Sequence, residues 1–350
     1  MSHTTGSLSE AGAAASRVSD APSWLTMPRV ATTILATEII SLIAFPAWRA
    51  SSTGLMLLGA SLPLTIWLML RMIVIEKVLT VPKSPPSIMT DPHWEAFRFE
   101  GWGGTTLTGR HLRADGGSSD LLLYLHGYGS DLSNGESRIQ HLSKLGLDVV
   151  GMDMRGHGGC ELRHDWTLLK AVADMEGLLE SVIGRYEDPP KRFWIHGHSV
   201  GGFIGLRLAS HPSGWWADRL AGIVLESPAS SFPLVIESLI HPSMQPLRGW
   251  IRQVLRREFE RIHPDLSIRY ATAAVPHIGM PEVPMLVLQA AADSRLGLAH
   301  YELLMQHIDP DLCTAHLLDG HEHTTSMDST ERRRCLERWL QPRLASRKEG

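Results

Sequence analysis

The residues with the clearest chemical potential are Gly197-His198-Ser199-Val200-Gly201, which follow an apolar run ending at His196 and precede a helix-period segment from Gly202 to Ser210. A serine between glycines at a strand–turn–helix junction is lifted clear of the sheet, where its hydroxyl can act as a nucleophile. The helix starting behind it presents backbone N–H groups that favour developing negative charge. A second oxyanion donor is needed upstream, and the run Leu121 to Leu125 leads straight into His126-Gly127-Tyr128-Gly129-Ser130. The N–H groups of Tyr128 and Val200 are the candidate pair. His126 suits a bracing role in that loop, and the charged turn from Asp153 to Gly158 also reads as a brace rather than a reactant.

A serine hydroxyl at its ordinary pKa needs a histidine base, itself oriented by a carboxylate. Two histidines are available in Gly320-His321-Glu322-His323-Thr324, after the last apolar run and before the last helical segment. Asp293 follows the run Pro284 to Gln289, where a loop should carry the acid, and Glu226 and Asp319 compete with it. The chain order serine, acid, histidine favours Asp293. His321 and His323 lack a third ligand at usable spacing, so neither a metal nor an organic cofactor is implied.

Positioning these groups requires a sheet. Short apolar runs at 121–125, 147–152, 192–196, 220–225, 284–289 and 314–318 read as buried parallel strands. Helical stretches alternate with them. The clearest runs from Thr167 to Tyr186 with Asp165 as its expected N-cap, and a last one begins at Asp328 with Glu331 at the capping-box position. This alternation predicts a doubly wound α/β domain over 93–345, with a small cap at about 229–283. Within that cap, 247–262 forms an amphipathic basic helix, suited to a lid or to an anionic membrane surface.

Ahead of the domain the pattern differs. Residues 1–29 read as a mobile polar tail, and two apolar runs at 30–48 and 54–70 are each about long enough to span a bilayer. The expectation is a transmembrane helical hairpin over 30–78, followed by a Pro-rich linker over 79–92. Basic residues on the tail and linker side place both ends, and the catalytic domain, in the cytoplasm.

The whole chain has 350 residues, with 33 Lys+Arg against 37 Asp+Glu and a net charge of -4. That balance argues against a nucleic-acid partner, which a basic excess would accompany. Apolar residues at 43% exclude a disordered chain, and three widely spaced cysteines fit a reducing compartment better than a disulfide scaffold.

Together, HGYGS (126–130), DMRGHG (153–158), GHSVGG (197–202), QAAADS (289–294) and GHEHTTSM (320–327) resemble the α/β-hydrolase superfamily, across nearly all of residues 90–345. Within it, the chain is similar to bacterial serine-aminopeptidase-like hydrolases that follow an N-terminal hydrophobic segment. The resemblance implies Ser199 as nucleophile, Asp293 as acid, and Tyr128 and Val200 as oxyanion donors. For the base, the family frame of Gly-Ala-x-His followed by Thr or Ser selects His323, which is the expected base, and a simpler Gly-His frame leaves His321 as the alternative. QAAADS departs from the family in lacking the usual His-Gly before the acid, and Cys160 replaces a common small serine. The expected function is serine-dependent hydrolysis of carboxylic esters through an acyl-enzyme, on a small-molecule substrate that the anchor suggests is lipid-like. A peptidase, an acyltransferase or a catalytically silent binding module on the same fold are the alternatives.

Overall fold

A computed structural model of the chain describes residues 36, 39, 52–79, 81, 88–160, 162, 166–240, 242–262, 269–324 and 329–345. The chain divides into two compact units, residues 1–80 with 240–266 and residues 81–239 with 267–350.

The second unit is built on an eight-stranded sheet. Its strands are β1 (Glu95–Glu100), β2 (Thr106–Leu112), β3 (Asp120–Leu125), β4 (Asp148–Met152), β5 (Arg192–His198), β6 (Leu220–Glu226), β7 (Met285–Ala290) and β8 (Cys313–Leu318). The order is β1-β2-β4-β3-β5-β6-β7-β8. β1 and β2 pair antiparallel and extend one edge, while β4 to β8 and β3 run parallel. The parallel strands are near-continuous apolar runs because helices cover both faces. Alternation along β3 shows this: Leu121, Leu123 and Leu125 join one core, while Leu122 and Tyr124 join the other. Helices α3 (Leu168–Ile183) and α4 (Val200–Ser210) contribute to the first core, and α2 (Glu136–Lys144) and α8 (Thr330–Ala345) to the second. The remaining helices of this unit are α5 (Phe232–Leu239) and α7 (Ala299–Met305).

Two helix starts differ from expectation. Thr167, not Asp165, caps α3, its hydroxyl accepting from the Lys170 N–H at 3.3 Å. Ser329 serves α8, its Oγ accepting from the Arg332 N–H at 3.2 Å. In each case a hydroxyl accepts from one of the first free N–H groups of the helix. Asp165 and Asp328 lie outside the described residues.

In the first unit, α1 (Ser52–Leu79) and α6 (Arg248–Ile262) are joined by an ion pair, Arg71 Nη2 to Glu258 Oε1 at 3.2 Å. α6 is amphipathic as its spacing predicts, with Ile251, Leu255 and Phe259 buried and Arg248, Arg252 and Arg256 exposed. The expected transmembrane hairpin is not supported. Among the described residues, no helix is long and apolar enough to cross a membrane. The second apolar run lies in α1, whose last part carries Arg71, Glu76 and Lys77, with Arg71 committed to Glu258. The first run, apart from positions 36 and 39, lies outside the described residues, as does the tail over 1–29.

Candidate active site

In a mostly parallel sheet the loops after the strands emerge at one edge, and the predicted site residues sit on four of them. Ser199 joins β5 to α4 with φ 56 and ψ −120, a strained conformation for a residue with a side chain. Its N–H donates to the Glu226 carbonyl at 3.0 Å, and its own carbonyl accepts from Gly202 and Ala229. Gly201 makes the turn possible, because a Cβ there would stand 2.3 Å from the Leu125 carbonyl oxygen. Val200 opens α4, so its N–H has no acceptor within the helix.

The loop after β3 presses against this turn. A Cβ on Gly127 would lie 3.0 Å from His198 Nδ1 and 3.2 Å from the Ser199 Cβ, so a side chain there would crowd the turn. His126 braces the loop: its Nε2 accepts from the Met154 N–H at 3.0 Å, which leaves Nδ1 protonated to donate to the Gly127 carbonyl at 2.9 Å. The next ring, Tyr128, packs edge-on against His157 and Trp166, at 5.5 and 5.4 Å between centroids. The charged turn is a brace too. The Asp153 carboxylate accepts from the N–H groups of Leu132 and Gly159, and Arg155 forms a buried ion pair with Asp174 at 2.6 Å.

Asp293 and His323 meet. His323 Nδ1 lies 2.7 Å from Asp293 Oδ2, while Asp293 Oδ1 accepts from the N–H groups of Arg295 and Leu296 at 3.0 and 2.9 Å. Burial pushes the Asp293 carboxyl up, but the His323 bond and these N–H donors outweigh it and hold the pKa below its ordinary value. His323 Nε2 is buried and, among the described residues, has no hydrogen-bond partner. The His323 carbonyl lies 3.0 Å from Nε2 of His198, the neighbour of Ser199, and the two rings stand 5.0 Å apart. His198 itself is depressed to about 3 by burial first, then by the charge of Arg138, so it stays neutral.

The other candidates are engaged elsewhere. His321 is turned to the Asp319 carbonyl at 2.8 Å and to Ser329 Oγ at 2.5 Å, and Asp319 is exposed. Glu226 is buried, bonded by Arg138 Nε at 2.8 Å, by His196 Nε2 at 3.0 Å and by the Arg332 guanidinium. Burial alone would raise its pKa, but Arg332, Arg138 and His196 hold it well below the carboxylate range. The sequence reading missed Arg138, Arg332 and His300, the last buried with Nδ1 accepting from the Ser230 N–H at 3.0 Å. Only their unusual burial marks them, and spacing carries no signal of it. Among the described residues, no group of three or more His, Cys, Asp or Glu is placed to hold a metal ion.

Comparison with known proteins fits this geometry. Residues 117–276 match the model of the serine aminopeptidase (S33) family. An esterase from Pyrococcus furiosus superposes with a TM-score of 0.53 at 16% identity, over 75% of this chain and 96% of that one. Alpha/beta hydrolase domain-containing protein 10 from mouse superposes at 0.53 and 13% identity, over 72% and 99%. The chain has the α/β-hydrolase fold. Protein phosphatase methylesterase 1 from Bos taurus is 33% identical to this chain over 98 residues, 27% of the chain and 25% of that relative. The chain therefore spans about a quarter of the relative's length.

Proposed function

We propose that this α/β-hydrolase cleaves carboxylic esters through an acyl-enzyme on Ser199. The observation that carries the reading is the 2.7 Å bond between His323 Nδ1 and Asp293 Oδ2, with the opposite ring nitrogen left without a partner. In this mechanism Ser199 Oγ attacks the ester carbonyl as His323 Nε2 takes its proton. Asp293 holds the ring and stabilises the imidazolium. The N–H groups of Val200 and Tyr128 receive the oxyanion. Collapse expels the alcohol, which takes the proton from His323, and a water activated by the same nitrogen releases the acid. Free Cys160, Cys313 and Cys335 are in keeping with a reducing compartment. The lipid-like acyl chain was tied to the membrane anchor and is not carried forward.

The test is a panel of aryl esters and aminoacyl amides with the wild type and Ser199→Ala, alongside fluorophosphonate labelling. The expected result is ester turnover and labelling of the wild type, with both abolished in Ser199→Ala. Faster cleavage of the amides would make the protein a peptidase, and acyl transfer to an added alcohol in preference to water would make it an acyltransferase. Labelling that persists in the variant would move the nucleophile elsewhere, and a wild type inert to probe and substrates would be a binding module.

A further inference from the structure

The cleft that contains Ser199 has a volume of about 300 Å³, and the charge on its lining has one sign. Arg138 and Arg295 line it beside the polar side chains of Ser130, Asn134 and Thr324, and among the described residues no Asp or Glu does. Behind Arg138 lies the buried cluster already described, in which both the Arg138 and Arg332 guanidiniums face the carboxylate of Glu226. His196 is buried beside them with its pKa lowered, so it adds no charge at neutral pH and does not offset the excess cation. Arg332 keeps one nitrogen, Nη1, buried with no partner among the described residues. Guanidinium charge behind a small cleft projects into it, because the low-polarity surroundings screen it weakly.

Arg295 is the second observation. It is exposed on the cleft, and among the described residues its guanidinium makes no ion pair or hydrogen bond. Its backbone is nonetheless fixed, since its N–H donates to Asp293 Oδ1 at 3.0 Å. The carboxylate that orients His323 therefore also holds this arginine beside the reacting groups. The chain as a whole has a net charge of -4, so the positive character belongs to the site rather than to the molecule. A guanidinium presents a planar fork of donors that matches a carboxylate or a phosphate.

We propose that the cleft selects esters bearing an anionic oxygen group, a carboxylate or a phosphate, near the scissile bond, and that Arg295 is the residue that engages it. The inference rests on the reading of Ser199 as an esterase nucleophile. It adds the substrate class.

Two matched pairs test it. 4-Nitrophenyl hexanoate and the mono-4-nitrophenyl ester of adipic acid differ in a terminal carboxylate on the acyl side and release the same nitrophenolate. Acetylated glycerol and acetylated glycerol phosphate place the charge on the alcohol side. The reading is the ratio of kcat/KM, charged over neutral, after subtraction of uncatalysed hydrolysis. A charge-assisted bond at a partly exposed site should raise that ratio about tenfold in one of the two pairs, mainly through KM. Arg295→Gln should bring the ratio close to one, Arg295→Lys should retain part of it, and Arg295→Glu should invert it. Raising the salt to 0.5 M should narrow it. Turnover of both esters by a Ser199-dependent reaction with a ratio at or below one in both pairs overturns the inference and leaves the esterase reading standing. A ratio that Arg295→Gln does not move overturns it as well. No turnover of any ester together with an unlabelled Ser199 overturns the esterase reading, and the inference with it.

Discussion

Two buried carboxylates stand at the ends of neighbouring strands, Glu226 closing β6 and Asp293 just past β7. Both are held below their ordinary pKa, and both touch a histidine. What separates them is the rest of the shell. Glu226 is saturated by two guanidiniums, which keep their protons at any pH the fold survives, so its cluster is static. Asp293 is held by two backbone N–H groups, a long bond from the Gln289 amide and one imidazole, and among the described residues the far nitrogen of that imidazole is unpartnered. A carboxylate bound to arginines holds structure together. One bound to a histidine with a free nitrogen can manage a proton.

Substitution at each acid should therefore fail in different ways. Asp293→Asn should lower kcat by about 10³–10⁴-fold while the urea midpoint hardly moves, since the amide keeps the shape but favours the wrong imidazole tautomer. Glu226→Gln should do the reverse in kind: it leaves Arg138 and Arg332 buried without a counter-charge and should cost about 3–5 kcal/mol of stability. Urea unfolding followed by tryptophan fluorescence measures it. Similar stability losses in the two variants would erase the distinction.

A smaller effect concerns pH. Burial lowers His111 and His300 to about 4 and His157 and His198 to about 3, from an ordinary 6.5. Below 6.5 the unfolded chain takes up protons that the folded chain refuses, so stability is complete above that pH and falls as pH drops toward 4. Each histidine contributes a slope of up to about 1.4 kcal/mol per pH unit. Glu226 and Asp293, shifted down, stay ionised through this window and add their loss only at lower pH. Urea midpoints at pH 7 and pH 5 check it, and equal midpoints would contradict it. Smallest of all, Ser329→Ala removes a hydroxyl that caps α8 and contacts His321, and should cost about 1 kcal/mol with ester turnover kept within about twofold.

Much of the fold could be read in advance because the parallel strands are apolar on both faces. β1 and β2 escaped that reading. EAFRFE and TLTGRHL alternate, with one side exposed, and β1 follows the Pro-rich stretch that reads as linker. The alternation of Phe97 and Phe99 around Arg98 was the available signal. At the site, Ser199 is marked by the glycines its turn requires, and the loop after β7 marks Asp293. The choice between His321 and His323 was not legible, because two residues decide which ring faces Asp293 and which faces the start of α8. Nor was the fate of Glu226, whose arginine partners lie 88 and 106 residues away in sequence. Sequence shows where an acid emerges from the sheet; only topology shows which base arrives beside it.

The most direct test sets the two histidines of one loop against each other. kcat/KM for an aryl ester should be measured for His321→Ala and His323→Ala, with unfolding midpoints recorded for both. Loss of the proposed acceptor of the Ser199 proton should lower kcat/KM by about 10³–10⁶-fold in His323→Ala, whereas His321→Ala should stay within about threefold of the wild type. A crippled His321→Ala beside an active, folded His323→Ala would contradict the assignment of Ser199, His323 and Asp293 as one proton-handling unit.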